Sequence, residues 1–97
     1  MKVEDLLGKS DKPILLQFFA EWCGPCKMLS RMIDESLDAV TEKVELQRID
    51  VDHDPQLAAE FFVRAVPTMV LIDQQGAILW KHTGVMAVPD ILKQVAQ

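Results

Sequence analysis

Cys23 and Cys26 are the only cysteines in the chain, and two residues separate them. The run that holds them is Ala20-Glu21-Trp22-Cys23-Gly24-Pro25-Cys26-Lys27. Cys23 directly follows a short apolar run and opens a helical pattern. The first turn of a helix carries unpaired N–H groups and the positive end of the helix dipole. A sulfur placed there is favoured as the thiolate, and only the thiolate is a competent nucleophile. Cys26 lies one turn deeper, where it should be less accessible. The arrangement suits sequential thiol–disulfide exchange. Cys23 would attack a partner's disulfide, and Cys26, already beside it, would attack Cys23 and release the partner reduced. Pro25 fits the first helical turn and stiffens the loop, while Gly24 leaves the approach to Cys23 unobstructed.

Two other readings of the pair compete. Half of a zinc site would need further ligands, and the remaining soft candidates, His53 and His82, do not lie at motif spacing. Each of those histidines reads as a surface or loop residue. A pair of inert buried thiols is opposed by the strand-to-helix junction and by the flanking Trp22. No metal and no cofactor is expected.

The elements that must hold the pair follow from hydrophobic periodicity. Val3–Leu7 reads as a brief helical stretch ended by Gly8, with Val3, Leu6 and Leu7 on one side. Ile14–Phe19 is a nearly continuous apolar run, which suits a strand covered on both faces. The spacing of Met28, Leu29, Met32, Ile33, Leu37 and Val40 predicts one helix from about Cys23 to Val40. The methionines Met28, Met32 and Met69 read as core filler. Val44–Val51 is rich in branched residues and predicts a second strand. Asp54-Pro55 is a helix start in which Asp54 can cap, and that helix carries Leu57, Ala58, Phe61 and Phe62 on one face. Met69–Ile72 and Ile78–His82 read as strands joined by a tight turn at Asp73-Gln74-Gln75-Gly76. A last helix should begin near Pro89-Asp90 and pack Ile91, Leu92 and Val95. Strands alternating with helices imply a parallel βαβ unit, and the closing hairpin adds antiparallel pairing. The expectation is an α/β fold: a mixed four-stranded sheet with helices on both faces.

At 97 residues the chain is a single domain, residues 1–97. Its 49% apolar and 26% charged residues are ordinary for a globular domain and too hydrophobic for a disordered tail. The net charge of −5 is spread along the chain, which speaks against a nucleic-acid footprint or attraction to an anionic membrane. The longest apolar segments are broken by Gln17 and by Pro67 and Thr68, so neither approaches the roughly 18–20 residues that span a bilayer. The opening Met1-Lys2-Val3-Glu4-Asp5 leads into no apolar core of a signal peptide, so the expected location is cytoplasmic. The run Asp50–Asp54 has acids at alternating positions but lacks the glycine and distal Glu of a calcium loop. It reads as a strand end and a helix cap.

The run Phe18-Phe19-Ala20-Glu21-Trp22-Cys23-Gly24-Pro25-Cys26-Lys27-Met28-Leu29 resembles the active-site strand, loop and helix of the thioredoxin family. The resemblance continues through Ile49-Asp50-Val51-Asp52, through Val66-Pro67-Thr68-Met69 and through Gly84, and covers nearly the whole chain. It implies a thioredoxin-like fold and a dithiol/disulfide cycle at Cys23 and Cys26. It also implies a cis-proline at Pro67 packed against the cysteines. The backbone of Val66 would pair with an extended substrate segment. Trp22 would cover one side of the site, with Gly84 completing the substrate-binding surface. The Gly24-Pro25 pair is typical of the family's reducing members.

The chain departs from the family in three places. The family usually carries a buried Asp six residues ahead of the first cysteine, where this chain has Gln17. An amide does not titrate, so it cannot take the proton of Cys26. Arg48, at the place of the family's basic partner, cannot give its proton up either, and its head should reach water. These residues predict slower deprotonation of Cys26, which Gln17→Asp should relieve. The family's usual first strand is missing from the start, which leaves Val44–Val51 as an edge that could pair with a second chain. The hairpin turn is one residue longer than the common form, a neutral change.

The sequence thus predicts a protein-disulfide reductase. Its partners would be disulfide-containing client proteins and a separate thioredoxin reductase, since no nucleotide-binding glycine fingerprint is present. A monomer is expected. The alternative is a thioredoxin-fold binding or adaptor module in which redox cycling is incidental.

Overall fold

The computed structural model of the protein describes residues 1–96. A 3-10 turn at Val3–Leu6 comes first, then β1 (Ile14–Phe19), α1 (Gly24–Glu35), α2 (Leu37–Lys43), β2 (Glu45–Asp50), α3 (Pro55–Glu60), β3 (Thr68–Ile72), β4 (Ile78–Thr83) and α4 (Val88–Val95). The sheet order is β2-β1-β3-β4. β1 and β2 are parallel and joined through the helices between them, while β1–β3 and β3–β4 are antiparallel. The α/β architecture expected from the alternation is the one observed.

β1 is central because it is apolar on both faces. Leu15 packs with Leu29 and Ile33 of α1, Val40 of α2 and Ile91 of α4. Ile14, Leu16 and Phe18 pack the opposite way, with Leu6 of the first turn and Leu57 and Phe61 beyond. Five of its six residues are buried, the pattern of a strand covered on both sides. Each fully buried Leu or Phe removes enough apolar surface to contribute about 1.5–3 kcal/mol. β1 therefore gives the following loop a rigid base.

Four expectations are corrected. The single helix over Cys23–Val40 is two helices, broken at Ser36, whose φ of −127° and ψ of 30° leave the helical region. The break re-phases the chain: Val40 turns into the core and Leu37 faces solvent. Met28 is likewise exposed, so of the three methionines only Met69 is fully buried, with Met32 packed at the core's margin. Phe62 leaves the face it shares with Phe61 because its φ is +57°, and it ends up 67% exposed. Asp54 flanks α3 without a side-chain cap; its Oδ1 accepts from the amino terminus of Met1 at 3.0 Å instead.

The hairpin turn closes as read. Asp73 Oδ1 accepts from the N–H groups of Gln75 and Ala77, both at 2.9 Å, and Gly76 supplies the positive φ of +84°. The β3–β4 register shifts between Leu71 and Ile72, beside the turn.

Candidate active site

β1 ends at Phe19, and a tight turn carries the chain into α1, with Cys23 N–H donating to Ala20 O at 3.1 Å. Cys23 is thereby the N-cap of α1, one residue outside the helix rather than its first turn. Gly24 and Pro25 follow, and Pro25 sits where a missing N–H removes no helical bond. The Cys26 N–H, which has no helical acceptor at that depth, donates to Cys23 Sγ at 3.1 Å. The two sulfurs are joined in a disulfide, with the Cα atoms 5.3 Å apart. The expected difference in access is small: Cys23 is 4% exposed and Cys26 2%. A Cβ on Gly24 would meet nothing within 4 Å, so the ground in front of the pair is open.

The cysteines and Ala20 form a small cluster against which Phe19, Val51 and Val66 pack. Val66 precedes Pro67 through a cis peptide bond, as the resemblance implies. The bend is pinned from both ends: Thr68 Oγ1 donates to Ala65 O at 2.6 Å, and Gly84 N–H donates to Pro67 O at 2.8 Å. Gly84 adopts a φ of +104°, open to glycine at no steric cost. Trp22 is 72% exposed, and its Nε1 donates to Asp52 Oδ2 at 2.9 Å. With Val51, Val63, Arg64, Ala65 and Val66 it lines a hollow of about 170 Å³.

Behind the second sulfur the chemistry changes. Gln17 faces α1 from the middle of β1 and is fully buried. An unpaired amide in such a layer would be strongly disfavoured, and both ends of this one are occupied. Its Nε2 donates to Ser30 Oγ at 2.8 Å, and its Oε1 accepts from Arg48 Nε at 3.0 Å. Arg48 is its register partner on β2. The guanidinium also donates from Nη2 to Asp34 Oδ1 at 2.7 Å and more weakly to Ser30 O at 3.4 Å. Arg48 reaches the solvent, as expected, yet is held by three acceptors rather than free in it. Cys26, Lys27, Ser30, Arg31 and Asp34 of α1 line a groove of about 510 Å³ closed on its other side by Phe19, Ala20 and Glu21.

The sequence assigns no role to Ser30 or Asp34, and it marks Asp52 only as part of the acidic run. Cys26, Ser30 and Asp34 recur at the i, i+4, i+8 spacing of one helical stripe, and that signal could have found the first two. Nothing local to Asp52 points to an indole 30 residues away. Asp50 Oδ1 accepts from Asp52 N–H at 2.9 Å, so the acidic run is a strand end as read. Among the described residues no group of three or more His, Cys, Asp or Glu stands close enough to hold a metal ion.

A redox-capable pair at the head of a helix, beside a cis-proline bend on a mixed sheet, defines a thiol–disulfide active site of the thioredoxin-fold class. The thioredoxin family model matches residues 2–97, and the chain belongs to that family. It is 39% identical over 83 residues to a thioredoxin of Haemophilus influenzae, covering 86% of this chain and 77% of that one. A thioredoxin of Rickettsia felis is 43% identical over 63 residues, 65% of this chain. That match spans 60% of the Rickettsia protein's length. A thioredoxin-like protein of Synechocystis is 30% identical over 91 residues, 94% of this chain and 86% of its own. Among solved structures, a thioredoxin-2 described as a component of malaria parasite protein secretion machinery superposes with a TM-score of 0.82 at 26% identity. The superposition covers 92% of this chain and 85% of that one.

Proposed function

We propose that the protein reduces disulfide bonds in client proteins by cycling between the Cys23/Cys26 dithiol and the disulfide. The bonded pair at the N-terminus of α1 carries this reading. In the dithiol form the Cys26 N–H and the helix dipole favour charge on Cys23 Sγ, an effect of about 0.3–2 kcal/mol from the dipole. The Cys23 thiolate attacks one sulfur of a client disulfide, and the client's other sulfur leaves with the bonding pair and takes up a proton. Cys26 then loses its proton and attacks Cys23 Sγ. The client's remaining sulfur departs and is protonated. Two electrons and two protons have passed to the client, and the protein's disulfide is formed.

Val66, beside the sulfurs with its backbone at the bend, is suited to pair with an extended client strand, while the Trp22 ring flanks the opening. A separate reductase would return the electrons, in a cytoplasmic setting and with the protein as a monomer. Insulin reduction under dithiothreitol tests the activity. Trapping by Cys26→Ser tests the route: a reductase accumulates mixed disulfides on Cys23. An adaptor would bind its partners equally well with and without the substitution, and that result would remove the reductase reading.

A further inference from the structure

The reaction above needs an anion on Cys26, and Gln17, buried where the family usually carries an Asp, cannot receive the proton. What this chain offers is a hydroxyl. Gln17 Nε2 has only protons to give, so in the 2.8 Å contact with Ser30 the hydroxyl oxygen is the acceptor. The Ser30 proton is left to point elsewhere, and among the described residues the hydroxyl donates to nothing. Ser30 stands four residues after Cys26 on α1, a spacing that brings Cβ atoms to about 5–6 Å. Helical side chains lean toward the N-terminus of their helix, so Ser30 leans over the turn that holds Cys26. Both residues line the same groove, where water can carry a proton away.

We propose that the Ser30 hydroxyl donates a hydrogen bond to the Cys26 thiolate during release of the client. Gln17, in turn, is the positioning residue that turns the hydroxyl's proton toward the sulfur. This rests on the dithiol cycle. In the resolving step the Cys26 thiol gives its proton to groove water, and its electron pair forms the bond to Cys23 Sγ as the client sulfur leaves. Ser30 keeps its own proton throughout. The amide cannot titrate, but it need not: with its oxygen held by Arg48, it can present only its NH2 group to Ser30, which keeps the hydroxyl's proton turned away from Gln17. Arg48 is itself anchored by Asp34, so the hold reaches from the sheet to the rim of α1.

Substitution in a Cys23→Ala background isolates the Cys26 thiol, whose titration is read from its 13Cβ chemical shift. The charged groups around it are Glu21 after β1, Lys27, Arg31, Asp34 and Glu35 on α1, and Arg48 and Asp50 on β2. All are unchanged between variants, so a difference belongs to the hydroxyl. Ser30→Ala should move the midpoint up by about one pH unit, the equivalent of one hydrogen bond to a charged sulfur. Ser30→Thr should restore it. With Cys23 intact, Ser30→Ala should slow client release up to about tenfold near neutral pH, with the deficit closing at alkaline pH. A merely structural Ser30 would lower the melting temperature and leave the titration unmoved, and that result would overturn the proposal. Insulin reduction by the unsubstituted chain is read separately. An inert chain that still showed the Ser30-dependent midpoint would overturn the redox cycle and uphold the contact.

Discussion

On the Trp22 flank of the cysteine pair, Val51, Val63, Ala65 and Val66 make most of a small hollow of about 170 Å³. An indole 72% exposed donates one hydrogen bond to Asp52, beside the Val66 bend. On the Cys26 flank the groove is larger, about 510 Å³, and a chain of polar contacts stands along it: Gln17 to Ser30, Arg48 to Gln17, Asp34 to Arg48. One flank presents unsatisfied apolar surface, which only a partner can cover. The other carries charged side chains and a bonded polar chain, and its groove admits water beside Cys26. On the proposed cycle the pair stands between a docking side, which would set affinity, and a proton side, which would set the rate of release. Mutations on the two sides should separate KM from kcat.

The largest effect is expected at the sulfurs. Cys26→Ser removes the intramolecular attack, whose effective concentration for well-placed groups is about 10⁵ M or more. Turnover should fall by at least about 10³-fold, with the client held on Cys23 as a covalent adduct visible by mass spectrometry. If turnover survived while the adduct failed to form, Cys26 would have no place in release and the two-sided account would fail. Next comes the docking side. Trp22→Ala should reduce kcat/KM for a protein client by about 10–30-fold, the range for losing a central aromatic anchor, almost wholly through KM. Reduction of a small aromatic disulfide should be nearly unaffected, because it does not reach across the hollow. An equal loss for both substrates would place Trp22 in the chemistry instead.

A smaller effect belongs to the proton side. Arg48→Leu leaves Gln17 Oε1 buried without its donor, which destabilises by about 1–3 kcal/mol. The Arg48–Asp34 ion pair adds little to that, because both side chains are partly exposed. The melting temperature should drop by roughly 4–8 °C per kcal/mol in a domain of this size, while KM for the client stays unchanged. A shift in KM with the melting temperature intact would mean that clients reach across the groove, and the division between flanks would dissolve.

How much of this could be read from residues alone depends on range. β1 declared itself because a continuous apolar run has few other fates, and the cysteine pair because both sulfurs lie within one helical turn. The break at Ser36 was hidden: Leu37 and Val40 both continue the helical period, and only packing against the sheet decides which of them is buried. Phe62 was misplaced for the same reason, since a single residue at positive φ ends a periodic face without any compositional sign. Gln17 and Arg48 were legible as positions in a family pattern. Their bonds to Ser30 and Asp34 were not, because these depend on the parallel register of β1 against β2 and on the phase of α1 above both.

The smallest expected effect tests whether the docking side extends in front of the sulfurs. A methyl group on Gly24 meets nothing of the protein itself within 4 Å, and Gly24 does not adopt a positive φ. Gly24→Ala should therefore stabilise the fold by about 0.4–1 kcal/mol, through the lower freedom of the unfolded chain. That is a rise of a few degrees in melting temperature. Any loss of activity must then come from a partner meeting the new methyl group. If a client backbone lies over Cys23 as it pairs with Val66, turnover of a protein substrate should fall a few-fold while the small aromatic disulfide is reduced as before. A stabilised variant with undiminished turnover of insulin would show that clients approach from the Trp22 side alone, and the docking surface would end at the indole.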